Sequence, residues 1–520
     1  MGSKPSERSR STLPTPSSPL LITGRDLTVT DVAAVARDGR EVGLDTDAAE
    51  RMRASRRVIE RLVAQGETVY GVTTGFGDLA NVRIEPEQVA ELQRNLVRSH
   101  TAGVGEPLPV DVVRAMLLLR ANALAIGLSG ARPEIAELLC GMLNEAVHPI
   151  IPSRGSVGAS GDLAPLAHLA AVLIGEGMAD TPAGPMAGAD ALSAAGLVPI
   201  ELGAKEGLAL LNGTQLMAGI AALVLHDGKR LAASADVIGA MSLEAMEGTT
   251  AAFDEELIAA RPHPGQVAAA AHLRALLDGS EIGASHADSE HRLQDPYSIR
   301  CMPQVHGAVR DALDQLERVL AVEMNAATDN PLVLADGRVV SGGNFHGEPI
   351  ALAIDYAKIA LAELASISER RTARLVDSHL SGLPPFLSET PGVSSGLMIV
   401  QYTAAALVNE MQTLAHPSSV DTIPTSANQE DHVSMGATGA LHLRTVLEGA
   451  ETVLAIEALC ATQGLDFRVP MRPGHGVSAA RSTIRGRVLH LDEDRSPSPD
   501  IAAVRELVHS GDLLAAADGT

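Results

Sequence analysis

Apolar residues along this chain recur mainly with the spacing of long helices. Leu108 to Leu128 is an Ala/Leu-rich run bounded by proline and glycine. Pro133 to Val147 opens on a proline suited to a first helical turn. Longer stretches follow at Glu206 to about Met246, Gln304 to Ala327, Pro349 to Val376, Ser395 to Leu414 and Ser434 to Gln463. They are rich in Ala, Leu, Met and Glu, which are strong helix formers. At ~1.5 Å rise per residue, several can span a whole domain. Strand-like alternation is rare. Leu27 to Thr30 and Thr68 to Thr73 read as short strands or extended segments. Leu332 to Val340, with Asp336-Gly337 between apolar runs, reads as a small hairpin. The predicted fold is therefore mainly α. A long-helix bundle occupies 206–465. A mixed, mostly helical N-terminal domain precedes it at 21–205. The segment 466–520, richer in Pro, Arg and Asp, carries one late helix near Ile501 to His509. Residues 1–20 are polar, rich in Ser, Pro and Arg, and read as a disordered tail without the apolar core of a secretory signal. No internal repeat is visible. Helices this long leave faces that need burying, so self-association is expected.

Composition narrows the class. Hydrophobic residues make up 46% and charged residues 20%, a globular balance. Lys+Arg 40 against Asp+Glu 64 gives a net charge of −24, which repels nucleic acid and anionic membranes. The most apolar stretch, Gly207 to Leu225, contains Asn212, Thr214 and Gln215, and so reads as a buried core helix and not a membrane span. Cys140, Cys301 and Cys460 are too few and too scattered for a disulfide framework or a zinc ribbon. Reduced thiols in the cytoplasm are the expectation. His286 and His291 match neither H-E-x-x-H nor a zinc-finger spacing, and no metal site is expected. With Phe 5, Tyr 4 and Trp 0, the core must be packed by aliphatic residues. An aromatic inside a polar, Gly-rich block is then a candidate for chemistry.

The most informative stretch is Gly155-Ser156-Val157-Gly158-Ala159-Ser160-Gly161-Asp162-Leu163-Ala164-Pro165. It lacks the Gly-Lys-Ser/Thr ending of a phosphate loop, and no G-x-S-x-G elbow supports a serine hydrolase. Its centre, Ala159-Ser160-Gly161, suits a backbone condensation. The Gly161 amide nitrogen attacks the Ala159 carbonyl carbon, ring closure releases one water, and Ser160 loses its hydroxyl as another. The product is an electrophilic ring with an exocyclic methylene, 4-methylidene-imidazole-5-one. Gly161 supplies the least hindered amide, Ala159 adds no bulk, and Gly155 and Gly158 allow the sharp bend.

This run resembles the signature of the aromatic amino acid ammonia-lyases, most closely their histidine-specific members. The similarity recurs in blocks from about Tyr70 to Phe467. The resemblance implies non-oxidative removal of ammonia from an amino acid, the self-made ring as the only cofactor, and a homotetramer with active sites shared between chains. It also implies roles. Tyr70, in Tyr70-Gly71-Val72-Thr73-Thr74-Gly75-Phe76-Gly77, resembles the loop acid/base of these lyases. In Gln294-Asp295-Pro296-Tyr297-Ser298-Ile299-Arg300-Cys301, Asp295-Pro296 reads as a helix cap, which would put Tyr297 and Arg300 one turn apart on one face. Arg300 would grip the substrate carboxylate through its planar fork, Gln294 and Tyr297 would face the substrate, and Tyr297 could move a proton. Asn212, read as lying inside a long apolar helix, would contact the ring and the carboxylate. Phe345, in Gly342-Gly343-Asn344-Phe345-His346-Gly347, would form a pocket wall.

Two places bear on the substrate. Ser99-His100 resembles the pair found in histidine-specific members, and an imidazole there can bond a ring nitrogen or a phenol. Glu430, in Asn428-Gln429-Glu430-Asp431-His432, could pair with an imidazole or take the β-proton. Together they favour L-histidine, converted to trans-urocanate and ammonia. The alternatives are a tyrosine or phenylalanine ammonia-lyase, a related aminomutase, or a catalytically inactive helical scaffold.

Overall fold

A computed structural model of the chain describes residues 18–67, 69, 74, 88–286 and 294–519. Tyr70, most of the Thr68–Thr73 segment and residues 1–17 of the expected tail lie outside them. Three long helices form the centre: Gln215–Ala245, Glu348–Val376 and Gly436–Asp466. Nearly every face of Gln215–Ala245 is buried, as its almost continuous apolar sequence requires. The three run parallel. Asp355 lies beside Gly439 near their beginnings, and Arg371, Glu457 and Ser242 meet near their ends. Met302–Glu323 packs antiparallel to them, with Met302 against Gly239 and Glu323 bonded to Thr214. Met398–Leu414 runs back along Glu348–Val376, and Gln401 Nε2 donates to Glu369 Oε1 at 2.7 Å. The N-terminal part adds Val110–Ala125 and Pro133–Asn144, both at the expected places. Strands are short and paired in small sheets, among them the Leu332–Val333 and Val339–Val340 hairpin. One apolar cluster extends from Ile22 to Leu513.

Two expectations are corrected. Thr28 is not in a strand; it caps helix Val29–Arg37. Thr28 accepts from the Asp31 amide while Asp31 accepts from the Thr28 amide, a reciprocal cap that outweighs the strand preference of Leu27-Thr28-Val29-Thr30. Glu206 to Met246 is not one helix. Glu206–Leu211 ends at Asn212, and the long helix restarts at Gln215. Gly213 sits at φ 151°, and a Cβ there would lie 2.8 Å from Arg120 Nη1 and 2.9 Å from the Thr328 carbonyl oxygen. Only glycine fits, and that conformation is not helical.

Glu244, near the end of the first central helix, anchors the C-terminal segment. Its two carboxylate oxygens accept from the Gly474 amide at 3.0 and 3.1 Å. Burial pushes its carboxyl from 4.5 up to about 7. The unfolded carboxyl releases its proton near 4.5 and the folded one near 7, so the folded state holds the extra proton between these values. Its stabilising contribution is full below pH 4.5 and is lost as pH rises through 7. Glu244→Gln should flatten this fall: melting temperatures across pH 4.5 to 8 should converge on, then exceed, those of the parent as pH rises.

Candidate functional site

The Gly155–Asp162 loop is held from several sides. Gly158 and Gly161 take φ 70° and 75°. A Cβ on Gly161 would fall on the Gly213 carbonyl, and one on Gly158 on the Ser434 hydroxyl. Gly161 and Gly213 form a parallel bridge, and the Asp162 amide donates to the Gly213 oxygen at 2.6 Å. The helix break at Gly213 exists to make this approach. Ser156 ties the two sides of the loop together. Its Oγ accepts from the Gly158 amide at 3.2 Å and donates to Asp162 Oδ1 at 3.0 Å. Beneath, Ala159 packs with Val157, Val433 and Met435. Ser434 Oγ donates to the Gly158 oxygen at 3.2 Å, and the Met435 amide to Val157 at 2.9 Å.

Four helices begin at this loop. Leu163–Leu173 follows it directly. Asp162 Oδ2 accepts from the Leu216 and Met217 amides at 2.9 and 3.1 Å, at the start of Gln215–Ala245. The Gly347 amide lies 3.5 Å from the Gly158 oxygen, just before Glu348–Val376, and Gly436–Asp466 opens directly after Ser434-Met435. Their N-terminal ends add positive potential where negative charge would develop. Burial pushes the Asp162 carboxyl up to about 7 despite these donors. Arg120, fully buried, donates to the Asn212 oxygen at 2.7 Å and to Gln215 Oε1 at 3.1 Å, so it fixes the break. Burial lowers its guanidinium to about 10.

Two sequence candidates bond Ser160, and a third, His100, feels the charge of one of them. Ser160 Oγ donates to Glu430 Oε1 at 3.0 Å. Asn212 Nδ2 donates to the Ser160 carbonyl at 3.0 Å, and Asn212 Oδ1 is buried with no partner among the described residues. His100 is the last residue of helix Val89–His100 and feels the charge of Glu430. Its Nδ1 lies 2.9 Å from the Leu96 carbonyl, which commits that nitrogen as a donor and leaves Nε2 as an acceptor. Desolvation lowers its pKa, which favours the neutral ring. Glu430 itself is set by a turn of unusual backbone. Ser426, Ala427 and Asn428 all have positive φ, and Thr425 Oγ1 donates to Glu430 Oε2 at 2.6 Å. Non-glycine residues of this kind carry strain and concentrate at functional sites.

Phe345 is half-buried, two residues before Gly347, on the segment that reaches the loop. Gln294, Tyr297 and Arg300 are elsewhere. Asp295 does not cap their helix. It accepts from the Thr249 amide at 2.7 Å, and Pro296 takes the cap position of Tyr297–Arg300. The expected one-turn spacing holds, with the Arg300 guanidinium 4.7 Å from the Tyr297 ring centre. This turn packs by Gly248, just past the end of Gln215–Ala245, whereas Ser160 lies at that helix's beginning. Its 31 residues span about 46 Å. No side chain bridges that, so one chain does not bring Arg300 to its own Ser160. Tyr297 is 71% exposed. Sequence reasoning missed Ser156, Arg120, Ser434 and Thr425. Isolated Ser, Thr or Arg residues carry no spacing signature, though Ser156 so close to Gly158 is a turn signal.

Among the described residues, Glu389, His490 and Asp492 bring ligand-type atoms within 4.8 Å of one another. They lie toward the far end of Gly436–Asp466, where Gln463 and Asp466 already bond both His490 nitrogens. No described helix is long and apolar enough to cross a membrane.

Comparison with known proteins bears on the family and the fold. The aromatic amino acid lyase family matches residues 27–486. A histidine ammonia-lyase of Anaeromyxobacter sp. (strain K) is 55% identical over 503 residues, covering 95% of this chain and 99% of that one. The crystal structure of histidine ammonia-lyase from Trypanosoma cruzi superposes with a TM-score of 0.90 at 42% identity, over 96% of this chain and 95% of that one. Tyrosine aminomutase from Streptomyces globisporus gives 0.92 at 39% identity, over 96% and 98%. Similarity of sequence and of fold over nearly the whole length leads to one conclusion: this chain belongs to the aromatic amino acid lyase family.

Proposed function

We infer that the chain is an L-histidine ammonia-lyase, converting L-histidine to trans-urocanate and ammonia. The observation that carries this reading is the place of Glu430, which accepts from the Ser160 hydroxyl that ring formation would release and is electrostatically coupled to His100. The 55% identical relative supports the same substrate; fold similarity alone does not choose, since the tyrosine aminomutase superposes as well.

The loop fits the ring expected from Ala159-Ser160-Gly161. The close approach of Gly213 and the φ of Gly161 require a residue without a side chain, and Asn212 Nδ2 holds the Ser160 carbonyl while its Oδ1 is buried without a partner among the described residues. The ring supplies an electrophilic methylene for the substrate amine. The chain's own groups do the rest. Elimination breaks the Cα–N and Cβ–H bonds and forms a Cα=Cβ bond. The β-proton must pass to a base. Tyr70 is the base we assign, with Tyr297 or Glu430, which stands at the loop in the same chain, able to share the task. A neutral His100 offers Nε2 to the N–H of the substrate imidazole, while Glu430 favours an imidazole over a phenyl or phenol ring. Asn212 bonds the loop and the substrate carboxylate, Phe345 walls the pocket, and Arg300 with Gln294 and Tyr297 holds the carboxylate from another copy.

The 46 Å separation supports a site shared between copies. Leu352, Tyr356 and Ile359 form an exposed apolar stripe on Glu348–Val376, joined by Ile399 and Tyr402 on Met398–Leu414. Glu348–Val376 starts at the loop and ends at the Tyr297 turn. Two copies packed antiparallel on this stripe bring the loop of one to the turn of the other. A homotetramer is the assembly we adopt. Three unpaired cysteines support a cytoplasmic setting, and burial pushes the Cys140 thiol up to about 12.

The test is a panel of L-histidine, L-tyrosine and L-phenylalanine with product identification. L-histidine should be preferred by about a hundredfold or more in kcat/KM. Glu430→Gln should cut that value by about a hundredfold. A preference for L-tyrosine, or a β-amino acid as the main product, would contradict the reading.

A further inference from the structure

The Tyr297–Arg300 helix has four residues, a single turn, which does not hold itself together in isolation. A buried polar chain reaches it from the bundle interior. Arg371 Nη1 donates to the Ser298 carbonyl at 3.3 Å. The other edge of the same guanidinium is locked by Glu457, Nε to Oε1 at 2.6 Å and Nη2 to Oε2 at 2.9 Å. Ser242 Oγ donates to the same Oε1 at 2.6 Å. Behind Arg371 stands His306, whose Nε2 lies 3.4 Å from Arg371 Nη1 and whose Nδ1 lies 2.7 Å from Asp236 Oδ1. Arg310 and His272 also bond Asp236. Arg371, Glu457, His306 and Asp236 are each fully buried. His306 donates its Nδ1–H to Asp236, so Nε2 is left as an acceptor for Arg371. Burial lowers the pKa of His306, and the Arg371 and Arg310 charges act in the same direction against Asp236.

A buried ion pair is a weak source of stability, since desolvation offsets the attraction. A fork fixed at one edge by a carboxylate is instead well suited to hold a third group in place. We propose that Arg371, oriented by Glu457 and His306, is a positioning residue that sets the Tyr297–Arg300 turn so that Arg300 meets the substrate carboxylate. It touches neither substrate nor ring. The inference rests on the reading of Arg300 given above. Four parallel or antiparallel helices contribute to the chain: Glu348–Val376 through Arg371 itself, Gln215–Ala245 through Ser242 and Asp236, Met302–Glu323 through His306, and Gly436–Asp466 through Glu457. The turn is thereby tied to the bundle that carries the Ser160 loop at its other end.

The experiment uses the full-length enzyme, with KM and kcat for L-histidine, inhibition by histamine, which lacks the carboxylate, and intact mass to count ring formation. Arg371→Lys keeps a charge for Glu457 but loses the fork. Its KM should rise about ten- to hundredfold, with ring content and histamine inhibition unchanged. Where that variant does not fold, Arg371→Met with Glu457→Met keeps the core filled and removes the donor, and should raise KM alike. Arg300→Ala, run alongside, should raise KM more. A folded, ring-bearing Arg371 variant with an unchanged KM would overturn the positioning role while Arg300→Ala still raised KM. A loss confined to melting temperature would overturn it likewise. An unchanged KM in Arg300→Ala would overturn the reading of the turn itself, and the positioning role with it.

Discussion

Gly161→Ala is expected to abolish turnover of L-histidine. The added Cβ would fall on the Gly213 carbonyl, a backbone group that cannot rotate away. The φ of 75° is also strained for alanine. Relief requires the Gly161–Gly213 bridge to open, which moves the Asp162 amide from its 2.6 Å bond and shifts the loop off the Ala159 carbonyl that the ring closure needs. Activity should fall by about a thousandfold or more, and the chain should retain the mass of the unmodified peptide. Gly184→Ala is the control. That glycine also has positive φ, but nothing lies near its missing Cβ, so its effect should be the backbone strain alone, about 1–2 kcal/mol of stability, with full activity. Equal activity in both variants would show that the close packing of the loop does not matter.

Mixing an inactive variant with a crippled one should restore sites of parental activity. Ser160→Ala removes the source of the ring, and Arg300→Ala removes the carboxylate grip. If each site takes its loop from one chain and its arginine from another, co-expressing both variants in equal amounts leaves about a quarter of the sites with both groups intact. The recovered rate should approach that fraction of the parent's. With both groups supplied by the same chain, no intact site could form and the mixture would show only the residual, high-KM activity of Arg300→Ala. The 46 Å length of Gln215–Ala245 between the two half-sites is the reason for expecting recovery.

How much of this was legible before the structure depends on what kind of signal each residue carries. The long helices at 349–376 and 434–463 were legible because apolar periodicity and propensity agree over many turns. The loop was legible because Gly-Ala-Ser-Gly is chemically unusual. Asn212 was picked as a site residue within a misplaced context, since a break in an apolar run is set by the packing of Gly213 on Gly161, residues 52 apart. Thr28 was misread because strand propensity spoke louder than its three-residue link to Asp31. Tyr297 and Arg300 were placed on one face correctly, yet no local pattern states which end of a 31-residue helix they adjoin. The grip of Thr425 on Glu430, and of Arg120 on the helix break, are tertiary facts with no sequence period at all.

The central claim is that three consecutive backbone units, Ala159-Ser160-Gly161, become the electrophile on which ammonia release depends. Intact mass of the freshly purified chain, read together with its turnover of L-histidine, tests this most directly. The parent chain should be lighter than its encoded sequence by two waters and active, while Ser160→Ala should show the full encoded mass and no turnover. A parent chain that consumes L-histidine at its full encoded mass would contradict the account, and so would an active Ser160→Ala.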